Sequence, residues 1–107
     1  MTLDFDKCGG LLPAIVQETG TGQVLMLGYM NAEAFEATRR TGLVTFFSRS
    51  RQELWTKGAT SGNRLRVVKL STDCDRDTVL AEVTLEGTAV CHEGYRSCFF
   101  RAIEVAQ

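Results

Sequence analysis

The sequence predicts an α+β fold, mainly antiparallel β-sheet with one short helix, and three observations carry the prediction. Short runs rich in Val, Ile, Leu and Phe recur along the chain, separated by turns bearing Gly, Thr and Asn. Only "NAEAFEATRRTG", at 31–42, has the caps and charge order of a helix. At 107 residues there is no room for two independent cores, so a single small domain spans 1–107.

Taken in order, "PAIVQE" (13–18) and "VLMLGYM" (24–30) read as two strands joined by the turn "TGTGQ". In the helix that follows, Asn31 is the N-cap and Glu33 lies in the first turn. Arg39 and Arg40 lie in the last turn and Gly42 just past the end. "LVTFFS" (43–48) is rich in β-formers, whereas "SRSRQELWTKGATSGN" (48–63) has the polar, Gly-containing character of a loop. "RLRVVKLST" (64–72) and "TVLAEVTLE" (78–86) alternate as strands do, and "SCFFRAIEV" (97–105) reads as a last one.

An apolar content of 44% with 23% charged residues describes an ordinary globular chain, and one proline without a low-complexity tract excludes a disordered one. "LLPAIV" and "VLMLGYM" are too short to cross a bilayer, and the acidic N-terminus "MTLDFDKCGG" lacks a secretory signal's apolar stretch. The expected setting is cytoplasmic, where four cysteines are free or metal-bound rather than bridged. In so small a domain, an apolar dimer interface or a bound metal would add stability.

The net charge of −1 hides a segregation. Between Arg39 and Lys69 lie eight bases and one acid, Glu53, while the rest of the chain is acidic. A basic centre in a mildly acidic protein points to an anionic ligand rather than a nucleic-acid surface, or else to a solvated charged face.

"TDCDRDT" (72–78) sets Cys74 among Asp73, Asp75 and Asp77. In an extended chain the three carboxylates share one face and the thiol takes the other. Carboxylates suit a hard cation such as Mg²⁺, and a thiolate suits Zn²⁺. An EF-hand is excluded, because Thr78 and Thr84 stand where its Gly and Glu belong. A solvent-exposed acidic turn is the plainer reading.

Cys74, Cys91 and Cys98 form the pattern C-x16-C-x6-C, with His92 beside the second cysteine. The spacing is weak evidence alone, yet "CHEGYRSC" is a poor composition for a core. Three thiolates leave zinc one open position, the arrangement of a catalytic site, unless His92 closes it. The zinc-deaminase signature H-x-E…P-C-x-x-C is absent. Cys8, in "DKCGG", reads as a small structural residue.

"GLLPAIVQ", "VLMLGYMN", "VTFFSRSRQELWTKGATSGN", "DCDRD" and "CHEGYRSCF" together closely resemble the phosphoribosyl-AMP cyclohydrolases of histidine biosynthesis, from about Leu11 to Phe99 and in family order. The resemblance implies an intertwined homodimer that hydrolyses the N1–C6 bond of the adenine ring. It implies zinc held by Cys74 of one subunit and by Cys91 and Cys98 of the other, and Mg²⁺ held by Asp73, Asp75 and Asp77. Asn63 stands where many members carry histidine and others asparagine, so no catalytic histidine is available there. Tyr95 falls at a variable position, and Cys8 matches no family motif. Some relatives continue into a phosphoribosyl-ATP pyrophosphohydrolase domain; a chain ending at Gln107 is expected to be the single-activity form.

The residues suit such chemistry. Three thiolates lower the pKa of a zinc-bound water less than imidazoles would, so a nearby base would help. His92 is the candidate base; orienting a ligand or capping the loop is its alternative role. Two substrate phosphates call for the basic segment, with Arg49, Arg51 and Lys57 the first choices, Arg64 next, and Ser61 among the hydroxyl donors. Trp55 is expected to be a partly buried core residue rather than a base-stacking platform. The competing reading is a zinc-stabilised phosphate- or RNA-binding module without catalysis, whose zinc would be closed by four protein ligands.

Overall fold

Alternation in the first strand sets the architecture. The computed structural model describes residues 2–106, apart from the side chain of Cys8. Strand β1 (Leu12–Glu18) buries every second side chain, turning Leu12, Ala14, Val16 and Glu18 inward. Strand β2 (Val24–Met30) pairs with it as an antiparallel hairpin, Leu12 opposite Met30. Helix α1 (Ala32–Thr41) follows at once, with Asn31 Oδ1 accepting from the Ala34 N–H at 2.8 Å. Gly42 closes it in the left-handed conformation, its N–H donating to the Thr38 carbonyl.

Strands β3 (Thr45–Ser48) and β4 (Glu53–Thr56) form a separate antiparallel hairpin. Strands β5 (Arg64–Thr72) and β6 (Val79–Glu86) complete a four-stranded sheet of order β2-β1-β6-β5. The sheet is antiparallel except at its centre, where β1 and β6 run parallel with Ala14 opposite Val79. A bulge between Val67 and Lys69 interrupts the alternation of β5 and leaves Val68 exposed.

The core lies between one sheet face and a cover made of α1 and the β3–β4 hairpin. Phe46 is fully buried, and its ring meets Trp55 at a centroid separation of 5.1 Å. Burying a ring of this kind contributes about 2–3 kcal/mol. Trp55 is half-buried, as expected of a core residue. Thr38 ties helix to hairpin, its hydroxyl donating to the Ala34 carbonyl and accepting from the Thr45 N–H at 3.0 Å.

Two expectations are corrected. The stretch 48–63 is not all loop, because Glu53–Thr56 form β4. Polar surroundings mask those four residues, and their pairing with Thr45–Ser48 makes the strand. The segment 97–105 is not a strand. Its Cys98 N–H donates to the Leu25 carbonyl at 2.7 Å, but the chain then leaves β2 and exposes Phe99, Ile103 and Val105. β-forming residues without a strand to pair with do not make sheet. Among the described residues no helix is long and apolar enough to cross a bilayer.

Candidate active site

The β1–β6 pairing gives the sheet two functionally distinct ends. At one end β5 turns into β6 through residues 73–78, and at the other β6 runs into the segment 87–98. Eight residues of β6 separate them, about 23 Å at the usual rise of a strand.

The acid cluster occupies the first end. Residues 73–78 form a tight turn rather than extended chain, with Arg76 at φ 63 and the Arg76 N–H donating to the Asp73 carbonyl at 3.2 Å. Strand alternation therefore does not align the carboxylates; the turn wraps them together. The Asp73 carboxylate accepts from the Asp77 N–H at 3.0 Å, a local closure typical of aspartate in turns. One oxygen from each of Asp73, Asp75 and Asp77 lies within 4.8 Å of the others. Lys7 completes the cluster, its Nζ 2.7 Å from Asp75 and 3.0 Å from Asp77.

That ammonium sets the local titration. Its hydrogen bond, helped by those of the neighbouring aspartyl groups, holds the Asp75 carboxyl down to about 2. Lys7 also pulls on Asp77, but desolvation and the other two aspartyl groups outweigh it and raise that carboxyl above its usual range. The ammonium itself is pushed up by its bonds to Asp75 and Asp77. A cluster already gripping one cation, with acceptor oxygens this close, fits a hard cation such as Mg²⁺.

The second end holds a cavity of about 380 Å³ lined by Lys57, Ser61, Asn63, Thr88, Ala89, Val90, Cys91, His92 and Gly94. Two strands' ends build it. Lys57 follows β4, where its N–H donates to the Val44 carbonyl at 3.1 Å. Asn63 precedes β5, and its side-chain oxygen accepts from the Thr88 N–H at 3.0 Å, pinning the segment after β6 to the loop before β5. Glycine is required on both sides of it. A Cβ on Gly87 would lie 2.1 Å from the Asn63 side-chain oxygen, and one on Gly58 2.3 Å from its carbonyl; both have positive φ.

Cys91 is buried beside the cavity, and the exposed Cys98 lies near enough to feel its charge. Partial burial pushes the Cys98 thiol up, the Cys91 charge pushes it further, and Lys57 opposes both. Two neighbouring thiols are ligands that zinc would accept, since a bound cation draws off thiol protons, and they need a third ligand from elsewhere. Cys74 belongs to the acid turn at the far end of β6, so within one chain it does not reach Cys91 and Cys98.

The basic residues divide. Lys57 and Ser61 line the cavity. Arg49 lies over the Tyr29 ring, 4.4 Å from its centroid. Arg51 pairs with Glu53 at 3.6 Å, and Arg64 with Glu86 at 3.7 Å. A further cavity of about 370 Å³, lined by Leu3, Phe35, Arg39, Leu70, Ser71 and Thr72, is mostly apolar and carries none of the thiol or imidazole groups. Glu18, Arg96, Thr88 and Lys7 are absent from the sequence-based site. Glu18 had a readable signal, a carboxylate in phase with the inward residues of β1.

A thiol, an imidazole, an amide and an amine lining one polar cavity of a small α+β domain define an enzyme for a small polar molecule. A family model described as phosphoribosyl-AMP cyclohydrolase matches residues 26–100. The chain is 55% identical, over its whole length and 85% of the relative's, to the phosphoribosyl-AMP cyclohydrolase of Solibacter usitatus. It is 58% identical to that of Desulfatibacillum aliphaticivorans, over 95% of this chain and 82% of the relative. It is also 60% identical to the histidine biosynthesis bifunctional protein HisIE of Xanthomonas campestris pv. campestris, over 91% of this chain and 47% of that longer protein. The chain belongs to the phosphoribosyl-AMP cyclohydrolase family.

Proposed function

We propose that this chain hydrolyses the N1–C6 bond of the adenine ring of phosphoribosyl-AMP in histidine biosynthesis, as a cytoplasmic homodimer that uses zinc and magnesium. The observation that carries the reading is the cavity joining Cys91 and His92 to Lys57, Ser61 and Asn63, in a chain 55% identical along its length to a named cyclohydrolase. Cys91 and Cys98 would hold zinc together with Cys74 of the partner subunit. The length of β6 supports sharing, because no single chain gathers the three thiols. Asp73, Asp75 and Asp77 would hold magnesium. When bound, zinc supplies Lewis-acid activation of water.

The chain's own groups do the rest. His92 stands at the cavity to accept a proton from the attacking water. Lys57 offers its ammonium, and Ser61 its hydroxyl, to a phosphate. Arg49, Arg51 and Arg64 extend this positive surface once their exposed pairings are exchanged for phosphate. Association is supported by the outer sheet face, where Ile15 stands between Leu27 and Leu80 in register and Leu27 is 42% exposed. Reduced thiols suit the cytoplasm, and no nucleic-acid partner is required.

The test follows ring opening of phosphoribosyl-AMP by ultraviolet absorbance, with and without a chelator. Turnover that chelation stops, and that zinc with magnesium restores, is expected. No turnover by the folded, metal-replete protein would overturn the reading. Mixing inactive Cys74→Ala and Cys98→Ala chains should restore activity through one intact site per mixed dimer; none after subunit exchange would refute the shared site.

A further inference from the structure

Glu18 is the one strongly buried acid among the described residues, 8% exposed at the inward end of β1. A buried carboxylate is costly unless both oxygens are satisfied. Its Oε1 accepts from the Thr21 hydroxyl at 2.8 Å, and its Oε2 is held by the Arg96 guanidinium. Arg96 lies in the segment between the two thiols, two residues before Cys98. Ser97 next to it is also buried and donates to the Val24 carbonyl at 2.7 Å, and Cys98 donates to the Leu25 carbonyl at the same distance. The other end of the segment is closed by the Cys91 N–H, which donates to the Tyr95 carbonyl at 3.0 Å. Within the exposed run 92–96 the Tyr95 and Arg96 carbonyls also accept from the buried Val90 N–H, at 3.2 and 3.1 Å, but Arg96 is the residue whose side chain reaches the sheet. Neither Glu18 nor Arg96 lines the cavity, so the proposed reaction uses neither.

We propose that the Glu18–Arg96 ion pair is a positioning device: it locks the segment 91–98 onto the β1–β2 end of the sheet and thereby holds the Cys98 thiol against Cys91. A neutral residue at either position leaves Cys98 on its backbone bond to Leu25 and the Arg96 carbonyl on the Val90 N–H, but removes the one side-chain tie of the exposed run to β1, and the thiols separate. The value of the pair as a zinc-binding unit rests on the functional reading above; its geometry does not.

The test is therefore made without zinc as well as with it. In a full-length Cys8→Ser, Cys74→Ala background the only thiols are Cys91 and Cys98. Phenylarsine oxide then captures both on one arsenic, forming two As–S bonds and releasing one water. Arg96→Met, at a side chain 49% exposed, opens no buried void and is expected to stay folded. It is expected to weaken arsenical capture about tenfold, the loss common for partners that orient ligands. Arg96→Lys should recover part of it, and Glu18→Gln with Arg96→Met should be no worse than Arg96→Met alone. Zinc affinity, measured in the otherwise unaltered chain against a chromophoric chelator, should fall in parallel. Unchanged arsenical capture in folded Arg96→Met would overturn the proposal. Weakened capture in a protein that binds no zinc would uphold the positioning role and refute the metal reading instead.

Discussion

The Lys7 ammonium sits 2.7 Å from the Asp75 carboxylate, joining residues 68 positions apart. The same N-terminal segment is fastened to the acid turn by the Asp4 N–H, which donates to the Arg76 carbonyl at 2.8 Å. The three aspartates are thus supplied with a tethered cation from within the chain.

A divalent ion at the aspartates must displace that cation. Lys7→Met is expected to tighten Mn²⁺ or Mg²⁺ binding by about two- to fivefold, the scale of an exposed ion pair. Isothermal titration of the variant against the parent chain checks it; equal or weaker binding would show that the ammonium does not compete. Asp75→Asn should have the opposite effect and raise the magnesium requirement.

At the thiol end, Cys91→Ala and Cys98→Ala are expected to abolish ring opening and release zinc, measured by absorbance and by metal analysis. His92→Asn should retain zinc while lowering kcat by about 10²–10⁴, the range for loss of a general base. A variant with normal kcat would leave His92 as a loop residue.

Asn63 supports the cavity by joining two segments, and its worth is measurable. Asn63→Ala removes the bond to the Thr88 N–H and should cost about 1–2 kcal/mol in urea unfolding. Gly87→Ala should cost more, because its Cβ would collide with the Asn63 oxygen and its φ of 137 disfavours any side chain. If Gly87→Ala in the Asn63→Ala background were as damaging as alone, the collision would not be the cause.

Glu86 gives the pH dependence. The hydrogen bond from Arg66, 2.6 Å away, lowers its carboxyl below the usual value despite partial desolvation. A depressed carboxyl stabilises the fold above its unfolded value of about 4.3 and loses that contribution as pH falls through the lower folded value. Arg66, raised in turn, stays protonated across this range. The stability difference between the parent chain and Glu86→Gln should therefore be constant near neutrality and shrink below about pH 4. A difference that widened on acidification would contradict the pairing.

Much of the secondary structure was legible because its causes are local. Asn31 and Gly42 bound α1 where their side chain and backbone freedom require, and the alternations of β1 and β6 name their inward faces. The strand Glu53–Thr56 and the non-strand 97–105 were not legible, since each depends on whether a distant partner offers its backbone. The aspartates of 73–77 could be grouped from their spacing, but the sequence pattern pointed to an extended chain where the chain turns. Glu18 is in phase with the inward residues of β1, but only the fold brings Arg96 to it.

By itself, the sequence determined the family and the kinds of group available, because thiols, carboxylates and bases in motif order are independent of their distances. Only the tertiary structure decided what joins each end of β6: Lys7 meets the aspartates at one, and Lys57, Ser61 and Asn63 meet Cys91 and His92 at the other. That choice follows from the parallel pairing of β1 with β6 and from the turn that leads into β6. Such pairing is set by burial of whole strand faces across the chain, and no local period carries it.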